Sequence, residues 1–418
     1  MKMNCKNILY KSASVFGCAC IIAPFTLHYS LDILFLSLLL ILAYRLDAKE
    51  LFLFFISLLL TLGLAEGMLR FLTKTDAVTT AYRMDDKYFG PGHYTPNVED
   101  AMTMRFGDIL AMDPLAPASI REARHVAFHT DDLGFRNDSD YHGQSMALVG
   151  DSFVAGTGTD QSALLGNVLR TEFGLDTYSL GFPGNPDDYL QYADRFLKEK
   201  SKEVRFALFV FEGNDLSCSS KQRKKFETAD LPPYSAWKIR LAKAINGAIE
   251  LPMTIINMSL QVWQKYSGNA YDLTDTYRIG AKDVGFYGPY TDAALFAHCS
   301  FTFSAPPPEA LSRVAMVFFI PAKYRVYYDF IDAPDKPPLP RPASGFTDMQ
   351  RYLDQWGIPA YDLTPALTEA AGRLLPEGGY VFWRDDTHWG PAGIRAAAAV
   401  VAQKLREYEA DRPAPKHP

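Results

Sequence analysis

Apolar and polar positions are arranged differently in the two ends of this chain. The first 72 residues carry three apolar runs. Ser12–Leu31 carries no charge, Leu31–Tyr44 has only Asp32 near its start, and Leu51–Ala65 reads LFLFFISLLLTLGLA. The first is long enough to cross a hydrocarbon core of ~30 Å, and the shorter two would rest their ends in the interface. Lys2, Lys6 and Lys11 precede the first run, and Arg45 and Lys49 lie between the second and third. Positive residues favour the cytoplasmic side, so the first two runs read as a hairpin and the third leads outward. Residues 1–72 are therefore expected to be a transmembrane anchor of about three helices. A cleaved signal peptide fits three successive apolar runs badly.

From residue 146 the scale changes. Short β-rich runs recur at Met146–Asp151, Thr177–Phe182, Arg205–Glu212, Arg313–Pro321 and Ala360–Leu363. Helical patterns separate them, as at Ser162–Phe173, Asp187–Glu199 and Thr347–Trp356, and a strong helix former runs from about Pro391. Strands alternating with helices predict an α/β domain at 146–410 with a parallel sheet covered on both faces. Residues 73–145, polar and interrupted by Pro and Gly, read as a linker or pre-domain segment. Residues 216–310 read as an insertion, with a basic start (SSKQRKKF) and one or two helices that cap a site, lie on a membrane surface or are simply solvated.

Composition narrows the partners. The net charge is −6 and no basic stripe is interleaved with aromatics, which excludes an evident nucleic-acid surface. The five cysteines lack metal-ligand spacing, so no metal and no organic cofactor is expected. Cys18 and Cys20 fall inside an apolar run and read as packing. Whether Cys218 and Cys299 pair is left open by the sequence.

The candidate chemistry begins at MALVGDSFVAGTGTD, Met146–Asp160, where an apolar run stops at Gly-Asp-Ser. Open α/β sheets place ligands at the carboxyl ends of their strands, so Ser152 would present its hydroxyl there. A serine needs a base, an orienter and oxyanion donors. SLGFPGNPDD offers the backbone N–H of Gly184, FEGND offers the amide of Asn214, and WRDDTHWGPAG offers His388 with Asp385 and Asp386 upstream. Taken singly, each has a plainer reading: a strand-end turn, loop punctuation, a helix cap, a surface histidine. Together they supply complementary roles in one order: Ser152 as nucleophile, His388 as base, an aspartate as orienter, and the Ser152 and Gly184 N–H groups with Asn214 as oxyanion hole.

In these blocks the chain from about Met146 onward resembles the SGNH (GDSL) hydrolase superfamily. GDSFVAG is similar to its first block, GFPGN to the second, GND to the third and DDTHW to the last. DTHW together with IPAKYRVYYDF (Ile320–Phe330) resembles the membrane-linked SGNH proteins of bacterial exopolysaccharide acetylation, including alginate O-acetyltransferases. In the alginate enzymes the Asp-x-His stretch precedes the serine, whereas here it follows. The resemblance implies a three-layer α/β/α sandwich of SGNH or flavodoxin-like type. It also implies a serine acyl esterase acting on a cell-surface or exported polysaccharide from the outer face of a bacterial inner membrane. The same acyl-enzyme would serve an O-acetyltransferase supplied by a membrane-bound acyl-donor partner. A non-catalytic glycan-binding protein and a lipase-like enzyme are the rival readings. Asp-x-x-His spacing, frequent in the superfamily, points to Asp385 as orienter, whereas the narrower resemblance points to Asp386.

Overall fold

The structure is a computed structural model and describes residues 37, 47–73, 83–86, 90–104, 106–113, 116–182, 184–218, 273–296, 298–304, 306 and 308–411. The chain divides into two compact units, residues 1–74 with 224–271 and residues 75–223 with 272–418. The expected insertion is thus divided. Its middle belongs with the N-terminal unit, while 272–310 are part of the α/β unit. Residues 75–145 belong to that unit as well.

In the first unit, helix α1 spans Ala48–Thr73. Asp47 starts it: its Oδ1 accepts from the Lys49 and Glu50 N–H groups, and Glu50 reaches back to the Asp47 N–H, a reciprocal cap. Phe52, Leu53, Leu60 and Leu64 are exposed along it. Among the described residues, no helix is long and apolar enough to cross a membrane. The run expected to span at 51–65 lies within α1 and so is not supported as a span, while those at 12–31 and, residue 37 apart, 31–44 lie outside the described residues.

The second unit opens with two hairpins. Arg83–Asp86 (β1) pairs with Gly90–Tyr94 (β2), and Glu99–Met104 (β3) pairs with Arg124–His129 (β4). Helix α2, Asp108–Met112, lies between β3 and β4. The main sheet follows, built from Met146–Gly150 (β5), Tyr178–Gly181 (β6), Arg205–Phe211 (β7), Val314–Ile320 (β12) and Ala360–Asp362 (β13). All its pairings are parallel, in the order β13-β12-β7-β5-β6. Between β7 and β12 lie the two-residue strands Ser217–Cys218 (β8) and Cys299–Ser300 (β11), and the hairpin Thr274–Ile279 (β9) with Lys282–Tyr287 (β10).

The near-continuous apolar runs of β5, β7 and β12 are what a sheet buried on both faces demands. Alternation divides them. Leu148, Phe209 and Phe318 belong to one core cluster, which Leu165–Phe173, Thr364–Leu374 and Pro391–Ala410 help to build. Val149, Leu208 and Phe319 belong to the other, with Pro186–Glu199 and Ser344–Asp354. The result is the expected α/β/α layering, with strand and helix limits close to those read from the pattern.

From β5 the chain steps to β6 on one side, then returns past β5 to β7 on the other. Such a reversal opens a crevice at the carboxyl ends of the strands. The Gly-Asp-Ser turn leaves β5 at that point.

Cys218 and Cys299 face each other across the β8–β11 pair and form a disulfide. The bridge closes a separation of 81 residues. A loop of that length in the unfolded chain loses much entropy when bridged. Cys218→Ser, or reduction, should therefore destabilise the unit by about 2–4 kcal/mol, read as a lower denaturant midpoint at unchanged slope. An unchanged midpoint would show that the bridge constrains nothing.

Candidate active site

Ser152 opens a one-turn helix, Ser152–Ala155, capped by Asp151, whose Oδ1 accepts the Phe153 N–H at 2.9 Å. Gly156 ends that turn at φ 71°, a left-handed conformation glycine adopts without penalty. Gly181, at the end of β6, allows the turn to pack close: a Cβ there would lie 2.2 Å from the Ala155 nitrogen. Burial pushes the Asp151 carboxyl up to about 6, against the lowering effect of the Phe153 hydrogen bond and the His388 charge.

Ser152, Gly184 and Asn214 stand two, three and three residues past the ends of the neighbouring strands β5, β6 and β7. The chain after Gly184 becomes a helix at once. Asn185 accepts from the Asp187 and Asp188 N–H groups, Asp188 accepts from the Asn185 N–H, and Pro186 takes the first helical position. The Tyr189 hydroxyl, in that helix, lies 2.9 Å from the Gly184 carbonyl and 3.0 Å from Asp215 Oδ1, while the Phe211 N–H donates to Asp215 Oδ2. Burial and the Asp151 charge push Asp215 well above the usual carboxylate range. Tyr189, bridging Gly184 and Asp215, thus ties the second loop to the third. The Asn214 side chain is exposed.

His388 arrives from the far end of the sequence. Its Nε2 is 2.7 Å from Ser152 Oγ, and its Nδ1 is 2.7 Å from Asp386 Oδ1. Asp386 can only accept when ionised, so Nδ1 carries a proton and the titrating position is Nε2, which faces the serine. The Phe153 ring lies against the imidazole, centroids 4.8 Å apart. Asp385 is turned away from the ring. Its Oδ1 accepts from Arg124, and its Oδ2 accepts from the Gly107 and Glu122 N–H groups, each at 2.8 Å. Both oxygens of Asp385 are thus committed to the Arg124 guanidinium and the Gly107 and Glu122 N–H groups.

Three groups the sequence did not single out complete the arrangement. Arg124, on β4, binds Asp385 through one terminal nitrogen and Asp386 through the other. Burial opposes the Asp386 charge, but Arg124 and His388 outweigh it and hold this carboxyl well below the usual range. Asp108 accepts from the Thr387 N–H at 2.7 Å and from the Thr387 hydroxyl, and its Oδ2 lies 3.4 Å from His388 Nδ1. Lys323 spends its three N–H groups on the carbonyls of Trp383, Arg384 and Asp386, at 2.7, 2.9 and 3.1 Å. Asp108 and Arg124 lie in the polar stretch before β5, more than 250 residues from the histidine they serve. No local spacing marks them, so nothing in the chain's pattern could have found them.

Asp108, Asp386 and His388 bring three ligand-type atoms within 4.8 Å of one another. Arg124 already neutralises Asp386, and Thr387 already donates twice to Asp108. The donors suit an imidazole held from behind better than a cation, which would face a guanidinium.

Residues 312–417 match the family model of the SGNH hydrolase-like domain, acetyltransferase AlgX. This part of the chain, β12 to the C-terminus with His388, is thus similar to an SGNH-like, acetyltransferase-type family. No curated protein and no solved structure matches the chain.

Burial disfavours a charged His388, but hydrogen bonds and charges from Asp108 and Asp386 outweigh it and push the ring up to about 10. A base must have lost the Nε2 proton, so turnover should rise with pH through the alkaline range rather than level off near neutrality. Asp108→Asn removes one of the two charges and should move that limb down by about one unit. A kcat/KM profile on an activated ester checks both statements. A limb that stays in place in the variant would show that Asp108 does not act on the ring.

Proposed function

We propose that the chain is a serine acyl-transfer enzyme that moves an O-acyl group on an exported polysaccharide through an acyl-enzyme at Ser152. The single observation that carries the reading is the continuous line Ser152 Oγ, His388, Asp386, each step 2.7 Å, at the switch point of a parallel sheet. Ser152 Oγ attacks the acyl carbon as its proton passes to His388 Nε2. The carbonyl oxygen becomes an oxyanion, for which the Ser152 and Gly184 N–H groups and the Asn214 amide are the candidate donors. Collapse breaks the bond to the leaving alkoxide, which takes the proton from Nε2. A second hydroxyl then gives its proton to Nε2 and attacks the acyl-enzyme, and as the bond to Ser152 breaks, Oγ takes that proton back from Nε2.

The family description names an acetyltransferase, which supports a sugar hydroxyl as second acceptor. Water in that place makes the same intermediate an esterase. The disulfide supports an oxidising compartment, and the apolar N-terminus with its Lys and Arg bias supports an anchor in the inner membrane with the α/β unit outside.

Ser152→Ala should abolish labelling by a serine-directed fluorophosphonate and all acyl-ester turnover, without loss of fold. Asp386→Asn should cost on the order of 10⁴ in turnover, and Asp385→Asn less, because it leaves the imidazole's own partner in place. Equal labelling of parent and Ser152→Ala would remove the nucleophile. Glycan acetyl content in a deletion strain separates the acceptors: a fall means transfer, a rise means hydrolysis.

A periplasm-only reporter fused after Pro418 should be active. A cytoplasm-only reporter working there would overturn the proposed topology.

A further inference from the structure

The two candidate oxyanion loops straddle the strand of the nucleophile. Gly184 follows β6 and Asn214 follows β7, and β5, which leads to Ser152, stands between those strands. Neighbouring strands lie about 4.8 Å apart, so the two loops start roughly 10 Å from each other. Donors that meet one oxygen at about 3 Å can be no more than about 6 Å apart. A gap of several Å therefore has to be closed above Ser152, and the sheet does not close it.

Each loop is firm in itself. In the third, the Phe211 carbonyl accepts the Asp215 N–H at 3.1 Å and Asp215 Oδ2 accepts the Phe211 N–H at 2.8 Å. The turn thus shuts on its own base, with Asn214 near its tip. A Cβ on Gly213 would lie 2.4 Å from the Phe211 ring, so the turn packs closely on that ring. In the second loop, the Asn185 N–H donates to Asp188 Oδ2 at 3.2 Å, within the cap of the helix Pro186–Glu199. Two firm turns still need a fixed distance between them.

Tyr189 spans that distance. It is fully buried, and its backbone N–H donates to the Asn185 carbonyl at 3.0 Å, which roots it in the second loop. Its hydroxyl proton faces the Gly184 carbonyl at 2.9 Å and Asp215 Oδ1 at 3.0 Å. The peptide after Gly184 is thereby held at both ends, by Tyr189 at its carbonyl and by Asp188 at its N–H. Without a Cβ, a glycine would otherwise swing its own N–H over a wide range. Burial, then the Asp151 and Asp215 charges, push the Tyr189 hydroxyl well above its ordinary range. It therefore keeps its proton at the alkaline pH where turnover is expected to rise.

We infer that Tyr189 is a positioning residue, which sets the spacing between the Gly184 N–H and the Asn214 amide so that both reach one oxyanion. The inference rests on the acyl-enzyme reading above and adds to it a side chain that no reacting atom touches.

The test is a double-mutant cycle on full-length protein in detergent, with p-nitrophenyl acetate as substrate and rates normalised to the fraction labelled by fluorophosphonate at completion. Tyr189→Phe keeps the ring and removes the hydroxyl. It should lower kcat and kcat/KM together by about tenfold and leave KM within about twofold, the sign of an interaction made only in the transition state. Asn214→Ala should cost about a hundredfold. In the Asn214→Ala background no spacing remains to be set, so Tyr189→Phe should cost less than about threefold more. Asp215→Asn, which leaves one acceptor oxygen for two donors, should lower kcat in the same way and with the same dependence on Asn214. Thermal melting places every assay below each variant's midpoint. An unchanged kcat in Tyr189→Phe, a rise in KM alone, or the full tenfold loss repeated without Asn214 would overturn the inference. Ser152 labelling of the parent is scored first, so loss of the nucleophile assignment and loss of the Tyr189 assignment give different results.

Discussion

The site depends on one buried guanidinium. Arg124 holds Asp385 with one nitrogen and Asp386 with another, and is itself almost fully enclosed. Two adjacent carboxylates in a dry interior would repel each other and take up protons. A cation between them keeps Asp386 ionised, and an ionised Asp386 is what holds Nδ1–H and directs Nε2 to the serine. Removing one partner of such a cluster costs about 3–5 kcal/mol, mostly for the charges left behind. Arg124 also packs over Trp383, 4.6 Å from the ring centre, so charge and packing hold the loop together.

The same loop is gripped through its backbone. Lys323 takes three of its carbonyls, Tyr327 receives the Val381 and Phe382 N–H groups, and Arg384 reaches the carbonyls of Ser119, Arg121 and Asp283. Lys323 and Tyr327 belong to the segment directly after β12, within IPAKYRVYYDF. Its Arg325 pairs with Glu212 in a fully buried bridge, and Glu212 also accepts the Ala322 N–H. Glu212 stands two residues before Asn214. One short helix thus braces the histidine loop on one side and the third loop on the other. Rigid support of this kind lets a 2.7 Å alignment persist on loops.

The division of the chain has a functional counterpart. Residues between the third loop and β12 do not act as one appendage. Their middle belongs with the apolar N-terminal unit, while 272–310 return to the α/β unit and carry Cys299 and Gly285, whose N–H donates to the Arg384 carbonyl of the histidine loop. The disulfide pins the two ends of this excursion to each other across the β8–β11 pair.

What the sequence determined by itself is what depends on neighbours along the chain. The apolar runs at Met146, Arg205 and Val314 specify a sheet covered on both faces, because strands of that composition cannot meet water on either side. Asn185-Pro186-Asp187-Asp188 writes its own helix start, and Gly-Asp-Ser at a strand end places Ser152. The resemblance of DTHW to the exopolysaccharide-acetylation proteins, rather than spacing, favoured Asp386. The tertiary structure decided everything that depends on approach across long separations. It paired Cys218 with Cys299, which spacing left open, and committed Asp385 to Arg124, which spacing could not foresee. It brought Asp108 and Arg124 from a stretch without periodic pattern, because an ion pair needs only proximity and leaves no period in the sequence. It also brought Asp283 and Gly285 to Arg384, residues far apart in the chain whose backbone groups meet Arg384 in hydrogen bonds only once the strand after residue 282 packs against the histidine loop.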